Sequence, residues 1–314
     1  MKTGIKLSPT LLSLMIFIAM AINSIAYAQK GNTVITTSPG LYELTLNYQF
    51  HSADSLIKVS DQKFKNDLSY QLSVINHYWW KLVSAENSDH FAGLIESRLK
   101  QMESLAQSDK KELENARLFA MISAYAFSAR INLHNNSWFD ALAKLSKYHS
   151  VIVQSFGREN EFPAFYLTSG LYYYFTAHAR DKIPVVRLFL SNYTSKDKET
   201  GMKFLLKAAN SNDFLIRNEA TYFLMKIAFE IEANPSAAYI YCNSLLNATP
   251  DNLLYQYYRF KIYLSQGKLE SAREQYQQIL KTAGRNNGIN SDEKKYFASL
   301  CEKDLKISGG KTKH

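Results

Sequence analysis

Residues 253–280 decide the fold: Leu253-Leu254-Tyr255-Gln256-Tyr257-Tyr258-Arg259-Phe260-Lys261-Ile262-Tyr263-Leu264-Ser265-Gln266-Gly267-Lys268-Leu269-Glu270-Ser271-Ala272-Arg273-Glu274-Gln275-Tyr276-Gln277-Gln278-Ile279-Leu280. In the first half, Leu253, Tyr257, Phe260, Tyr263 and Leu264 recur at the three- and four-residue spacing that shares one face of an α-helix. Gly267 interrupts the run, and glycine readily takes the positive φ with which helices end. In the second run Ala272 is small enough for two helix axes to approach. Tyr276 and Leu280 lie one and two turns further along the same face. Two helices joined by so short a turn predict an antiparallel hairpin.

The pattern recurs upstream. Ala220 to Glu232, then Ala237/Ala238, Cys242, Leu245, Leu246 and the Pro250-Asp251-Asn252 turn fit it, with one extra residue at Ala233-Asn234-Pro235. Gly201, Leu205 and Ala208-Ala209 hold second-helix positions behind a short first helix, Pro184 to Leu190. The small residues Gly201, Ala237 and Ala272 are 36 and 35 apart. Ala129 with Trp138 and Ala141 marks an earlier unit, and Ala53 and Ala92 mark weaker ones. Apolar periodicity predicts helices over 41–59, 63–86, 88–107, 109–133, 137–154 and 160–179. A second run follows over 197–211, 213–232, 235–248, 251–265, 268–283 and 291–307. Breaks fall at Pro39-Gly40, Pro163, Pro184, Asn234-Pro235, Pro250, Gly267 and Gly284.

Composition agrees with this reading. The 314 residues allow two ordinary domains or one elongated array. Gly and Pro number 12 and 6, about half of average usage, which argues against turn-rich β architectures. Apolar residues make up 46%, enough for a core, so global disorder is excluded. Tyr is abundant at 21, Phe numbers 18, and the net charge is +9.

Residues 253–280 resemble a tetratricopeptide repeat, a hairpin of roughly 34 residues with small side chains where its helices cross. A wider pattern carries the resemblance further: Gly170-Leu171-Tyr172-Tyr173-Tyr174, Pro184, Glu199-Thr200-Gly201 through Ala208-Ala209, Ala220-Thr221-Tyr222-Phe223-Leu224 and Pro250-Asp251-Asn252. It is similar to exported tetratricopeptide proteins of Bacteroidota-type bacteria, themselves similar to the tetratricopeptide repeat protein 39 group. Asn76-His77-Tyr78-Trp79-Trp80 resembles the aromatic helix near the start of such proteins. The resemblance implies an all-α superhelix (solenoid) of tetratricopeptide-like α-α hairpins, about 12–13 helices, that binds protein and carries no catalytic residues. Phe260 and Met225 depart from it at the usually small helix-crossing position.

The resemblance also implies which positions line the concave surface. Aligned on Ala92, Ala141, Ala237 and Ala272, one lining position falls on Lys81, Arg130, Lys226 and Lys261. Another falls on His77, Ala126, Tyr222 and Tyr257, while the short-helix unit breaks the series with Leu190. A ladder of cations flanked by Tyr would receive an acidic or carboxylate-terminated peptide, charge steering the encounter and Tyr supplying rigid contact area. Lysine and arginine stems along a solvated face give the same pattern without a ligand.

The remaining signals set class and location. Lys2 and Lys6, the apolar run Leu11 to Ile22 and Ala26-Tyr27-Ala28 read as a cleavable signal over 1–28. An uncleaved anchor is the alternative. Its removal leaves a charge of +7 and no integral membrane span. Export to a bacterial periplasm or cell surface is expected. A polar lead follows over 29–38, then a helical repeat domain over 39–308. Within it, weak repeats cover 41–180, clearer ones 197–284, and a capping helix 291–307, ahead of a disordered tail over 309–314. Glycan sequons begin at Asn135, Asn192 and Asn247.

No phosphate loop, metalloprotease helix, nucleophile elbow or Cys-x-x-Cys is present, so no enzyme and no cofactor are expected. The seven His have no pair at i, i+4, so no metal is expected. Cys242 and Cys301 read as buried thiols, with one bridge as the alternative. Tyr78-Trp79-Trp80 and Tyr172-Tyr173-Tyr174-Phe175 read as core packing, with carbohydrate stacking as the alternative. Nucleic acid is disfavoured, since acids are interspersed among the bases. The leading expectation is a non-catalytic scaffold or adaptor. A glycan or envelope-polymer module, or an enzyme with a site assembled from separated repeats, are the alternatives.

Overall fold

The computed structural model describes residues 40–86, 88–106, 114–134, 148–182 and 197–310. The expected signal and polar lead, Trp138, Ala141, the Pro184–Leu190 helix, the sequons at Asn135 and Asn192 and the last four residues lie outside these. Among the described residues all regular structure is helical. The helices are α1 (Leu41–Leu46), α2 (Phe50–Phe64), α3 (Leu68–Leu82), α4 (His90–Ala106), α5 (Glu114–His134) and, after a 3-10 turn at Val153–Ser155, α6 (Phe165–Lys182). They continue with α7 (Lys198–Ala209), α8 (Phe214–Lys226) running into a π-turn (Ile227–Ile231), α9 (Pro235–Ala248), α10 (Leu253–Ser265), α11 (Leu269–Arg285) and α12 (Ser291–Gly310). Side chains cap several helix starts, Asp67 among them, where the helix expected over 63–86 begins only at Leu68. Asp67, Asp197, Asn234 and Asn252 each accept from the backbone N–H three residues on. Asn290 and Glu293 form a reciprocal pair at the start of α12.

The chain divides into two compact units, one spanning Leu99–Ala220, the other joining the segment ending at Arg98 to the one beginning at Thr221. In the first unit α6 and α7 pack together across Gly170 and Gly201. A Cβ on Gly201 would lie 2.4 Å from the Tyr174 backbone nitrogen and 2.9 Å from the Gly170 carbonyl oxygen. Only a residue without a side chain permits this backbone approach, so the small residue foreseen at 201 is a packing requirement. Tyr172, Tyr173, Tyr174 and Phe175 are buried there, against neighbours that include Phe156 and Phe204.

In the second unit α10 and α11 form the predicted hairpin. Gly267 has φ +71, its N–H donates to the Leu264 carbonyl, and the Lys268 N–H donates to the Tyr263 carbonyl at 2.9 Å. That pair of bonds satisfies the last free carbonyls of α10. Arg259 donates to Gln275 and Gln256 to Thr282, so advancing along α10 retreats along α11: the helices are antiparallel. The extra residue expected near Ala233 is taken up one turn earlier. The Glu232 N–H reaches back five residues to the Ile227 carbonyl at 2.9 Å, a wider turn that holds one more residue than an α-turn. Ala238 is the fully buried small residue of α9, so the expected crossing position at Ala237 moves by one.

One feature of this unit departs from the expected helix pattern. The helix expected over 41–59 breaks at Asn47–Gln49, where Tyr48 adopts φ +58 without any glycine or proline nearby. Tyr48 is fully buried, stacks on Phe50 and meets Trp80 and Phe297 edge-on. Ring packing thus holds a backbone conformation unfavourable for a bulky residue. The same segment docks on the turn before α12. The His51 N–H donates to the Gly288 carbonyl at 2.9 Å, Asn286 donates to the Tyr48 carbonyl at 3.3 Å, and Asn252 donates to the Leu46 carbonyl at 2.8 Å. A Cβ on Gly288 would fall 2.6 Å from the Gln49 Cα. Contacts spanning more than 200 positions join the two ends of the described chain, whereas a strictly nearest-neighbour array has none.

Two glycine substitutions should behave oppositely. Gly201→Ala forces backbone apart and should lose about 1–3 kcal/mol in urea unfolding. Gly93→Ala, inside α4 with open space at its Cβ, should gain about 0.5–1 kcal/mol from reduced unfolded-chain entropy.

Candidate functional site

The side chains expected to form a groove are placed in three separate settings. His77, Arg130 and Lys226 are 0%, 2% and 5% exposed, so none of them stands on a solvated helix face. Lys81, Tyr222, Tyr257 and Lys261 are half-buried. Arg130 belongs to the first unit, where its guanidinium lies 5.3 Å from the Phe127 ring. The other six belong to the second unit and gather in two clusters.

Lys226 and Lys261 meet at one aromatic ring. The Lys226 ammonium is 5.8 Å from the rings of both Tyr222 and Tyr258. The Lys261 ammonium is 5.6 Å from Tyr258, 5.7 Å from Tyr257 and 5.5 Å from Phe229. Negative ring faces offset part of the desolvation that a buried cation suffers, about 0.5–2 kcal/mol per contact. Glu230, on the π-turn, adds a carboxylate oxygen 3.5 Å from Lys226 and accepts the Tyr258 hydroxyl at 2.7 Å with the other. Tyr257 donates to Asp304 at 2.8 Å. Burial first, and the adjacent carboxylates second, keep both phenols protonated far above their ordinary range. Lys261 forms no ion pair among the described residues, and three rings flank its ammonium. The arrangement can hold an anion.

The second cluster ties the first three helices together. Asp54 of α2 accepts from Lys81 at 2.6 Å through one oxygen and contacts the His77 Nε2 at 2.9 Å through the other. The His77 Nδ1 lies 2.9 Å from the Thr45 hydroxyl of α1. Burial disfavours an ionised Asp54, but the hydrogen bonds from His77 and Lys81 outweigh it and hold its carboxyl down at about 2. The Lys81 ammonium also lies 4.9 Å from the Phe91 ring. His77 and Lys81 are therefore fasteners between helices.

Tyr258, Asp54 and Asp304 were not singled out in the sequence, and Glu230, with Glu232, reads there as one of a carboxylate pair on a solvated face, whereas it bonds Lys226 and Tyr258. Glu230 was within reach, since it stands four residues after Lys226 on the same helix face. Asp54 and Asp304 had no such signal, because their partners lie 23 to 47 positions away. The aromatic runs pack into the structure: Trp79, Trp80 and Tyr172 through Phe175 are buried, and Tyr78 is half-buried. Cys242 and Cys301 are free, buried thiols, each pushed up to about 12 chiefly by burial. Among the described residues, no group of three or more His, Cys, Asp or Glu could hold a metal ion, and no helix is long and apolar enough to cross a membrane. No protein-family model, curated protein or solved structure matches this chain.

At pH 8, thiols held near 12 are thiolate in on the order of one molecule in ten thousand. The native protein should therefore react negligibly with a disulfide reagent such as Ellman's, and two thiols should appear on adding guanidinium. Rapid reaction of the folded protein would contradict the burial described.

Proposed function

We propose that this chain is an exported, non-catalytic helical-repeat scaffold of the tetratricopeptide type that binds an acidic segment of another protein at the Lys226–Lys261 face. The repeat reading is supported by the α10–α11 hairpin with its Gly267 turn. It is also supported by the order of the first helices of successive hairpins. Residues of α8 meet α10 through Tyr222–Tyr258, and residues of α10 meet α12 through Tyr257–Phe297. The likeness to exported Bacteroidota-type repeat proteins, and a bacterial periplasm or cell surface as location, rest on the sequence patterns quoted above.

One observation carries the binding reading: the Lys261 ammonium is half-buried among three rings and, among the described residues, pairs with no carboxylate. A peptide carboxylate entering there would gain a charge-assisted hydrogen bond against an aromatic wall. A fluorescein-labelled peptide of alternating Asp and Glu, ending in a free carboxylate, provides the test by fluorescence polarisation at low salt. Lys261→Glu should weaken its binding at least tenfold while the helical circular dichroism stays unchanged, and 0.5 M NaCl should weaken wild-type binding. Equal binding by both proteins, or none by either, would overturn the reading.

A further inference from the structure

The α1–α3 cluster contains an unequal count of protons and acceptors. Three contacts run in series: Leu41 carbonyl to Thr45 hydroxyl at 2.8 Å, Thr45 hydroxyl to His77 Nδ1 at 2.9 Å, and His77 Nε2 to Asp54 at 2.9 Å. Both ends of the series, a carbonyl and a carboxylate, only accept. Three hydrogen bonds need three protons, and a threonine hydroxyl with a neutral imidazole supplies two. With Nε2–H committed to Asp54, the Thr45 proton must serve Leu41 and Nδ1 in alternation. An imidazolium would complete the series but would place a second cation on Asp54, whose other oxygen already holds Lys81 at 2.6 Å. That charge would sit in a fully buried ring, in a T-shaped contact with Phe50 at 5.6 Å.

We propose that His77 is a proton-operated latch: neutral, it clasps α1, α2 and α3 through Thr45 and Asp54, and protonation at mildly acidic pH loosens that clasp. The imidazole hydrogen-bonds to both neighbouring helices. Thr45 belongs to α1, Asp54 to α2 and His77 to α3. The charged groups that act on it are Asp54 from α2 and Lys81 from α3, and the Tyr78 ring of α3 lies 5.7 Å away; Glu293 from α12 interacts in turn with Asp54, Lys81 and His51. Asp54 favours the charged ring, whereas burial, the largest influence, and Lys81 disfavour it, and burial prevails. A nucleophilic role for the Asp54–His77–Thr45 series is excluded because Thr45 is itself buried, out of reach of any substrate.

The direction follows from linkage. A histidine that resists protonation when folded binds its proton more readily unfolded, where the ordinary value is about 6.5. Stability contributed by His77 is thus present above that value and is lost as pH falls toward the lower folded one. Each pH unit within this window lowers the folded-to-unfolded ratio by up to tenfold.

The test compares urea unfolding of the full chain at pH 7.5, 6.5, 5.5 and 5.0 with that of His77→Gln, which keeps a side-chain amide but cannot titrate. The wild-type ratio should fall by up to tenfold per pH unit more than that of the variant. Parallel profiles would overturn the proposal. Should His77→Gln not fold, the ring protons of His77 in wild-type nuclear magnetic resonance spectra decide instead. A midpoint below 6.5, accompanied by faster amide exchange in α1 than in α10 once it is crossed, supports the latch. A midpoint above 6.5, or unchanged exchange in α1, overturns it.

Discussion

The second unit depends on the docking of Tyr48. This residue holds a left-handed backbone, which a bulky side chain tolerates only when its surroundings compensate, and its ring is fully buried among Phe50, Trp80 and Phe297. The kink redirects the chain from α1 into α2. It also delivers the backbone of 46–51 to Asn252, Asn286 and Gly288, which satisfy its polar groups. Rings from α2, α3 and α12 thereby meet around one residue. Hairpins that would each bury one face only against a sequence neighbour gain a second partner from the far end of the chain.

Around this junction the unit buries cations at a cost that has to be offset locally. An ammonium removed from water loses several kcal/mol, and a single carboxylate does not always recover it. Among the described residues Lys226 has Glu230 and two ring faces, Lys81 has Asp54 and two ring faces, and Lys261 has three ring faces and no carboxylate. The abundance of Tyr and Phe in the composition acquires a second meaning here: the rings both fill the core and solvate charge. The imbalance at Lys261 separates a candidate binding position from the fasteners His77 and Lys81.

Much of the local structure was legible. Gly267 marked a turn because only a residue without Cβ adopts its φ cheaply, and Asn234-Pro235 and Asn252 marked helix starts through a side-chain acceptor next to free N–H groups. Gly201 was legible as a crossing point, although its partner Gly170 required the packed helices. The break at Tyr48 was not legible, since no local preference produces it and tertiary contact imposes it. The one-residue shift from Ala237 to Ala238 was hidden for a related reason: the π-turn that absorbs the extra residue is a backbone choice with no residue signature. Of the seven expected site residues, Lys226 and Lys261 do share a neighbourhood, whereas His77 and Arg130 lie inside the packing.

By itself, the sequence determined which segments are helices, where most of them begin and end, and that the helices pair through small residues. These follow from side-chain periodicity and capping, which act over fewer than ten positions. Only the tertiary structure decided that residues on either side of a long intervening segment form one unit. It alone decided which lysines are held by carboxylates and which by rings, and that His77 bridges three helices. Those outcomes depend on contacts such as Leu46 to Asn252 and Tyr48 to Asn286, whose partners lie 206 and 238 positions apart and leave no periodic trace in the chain.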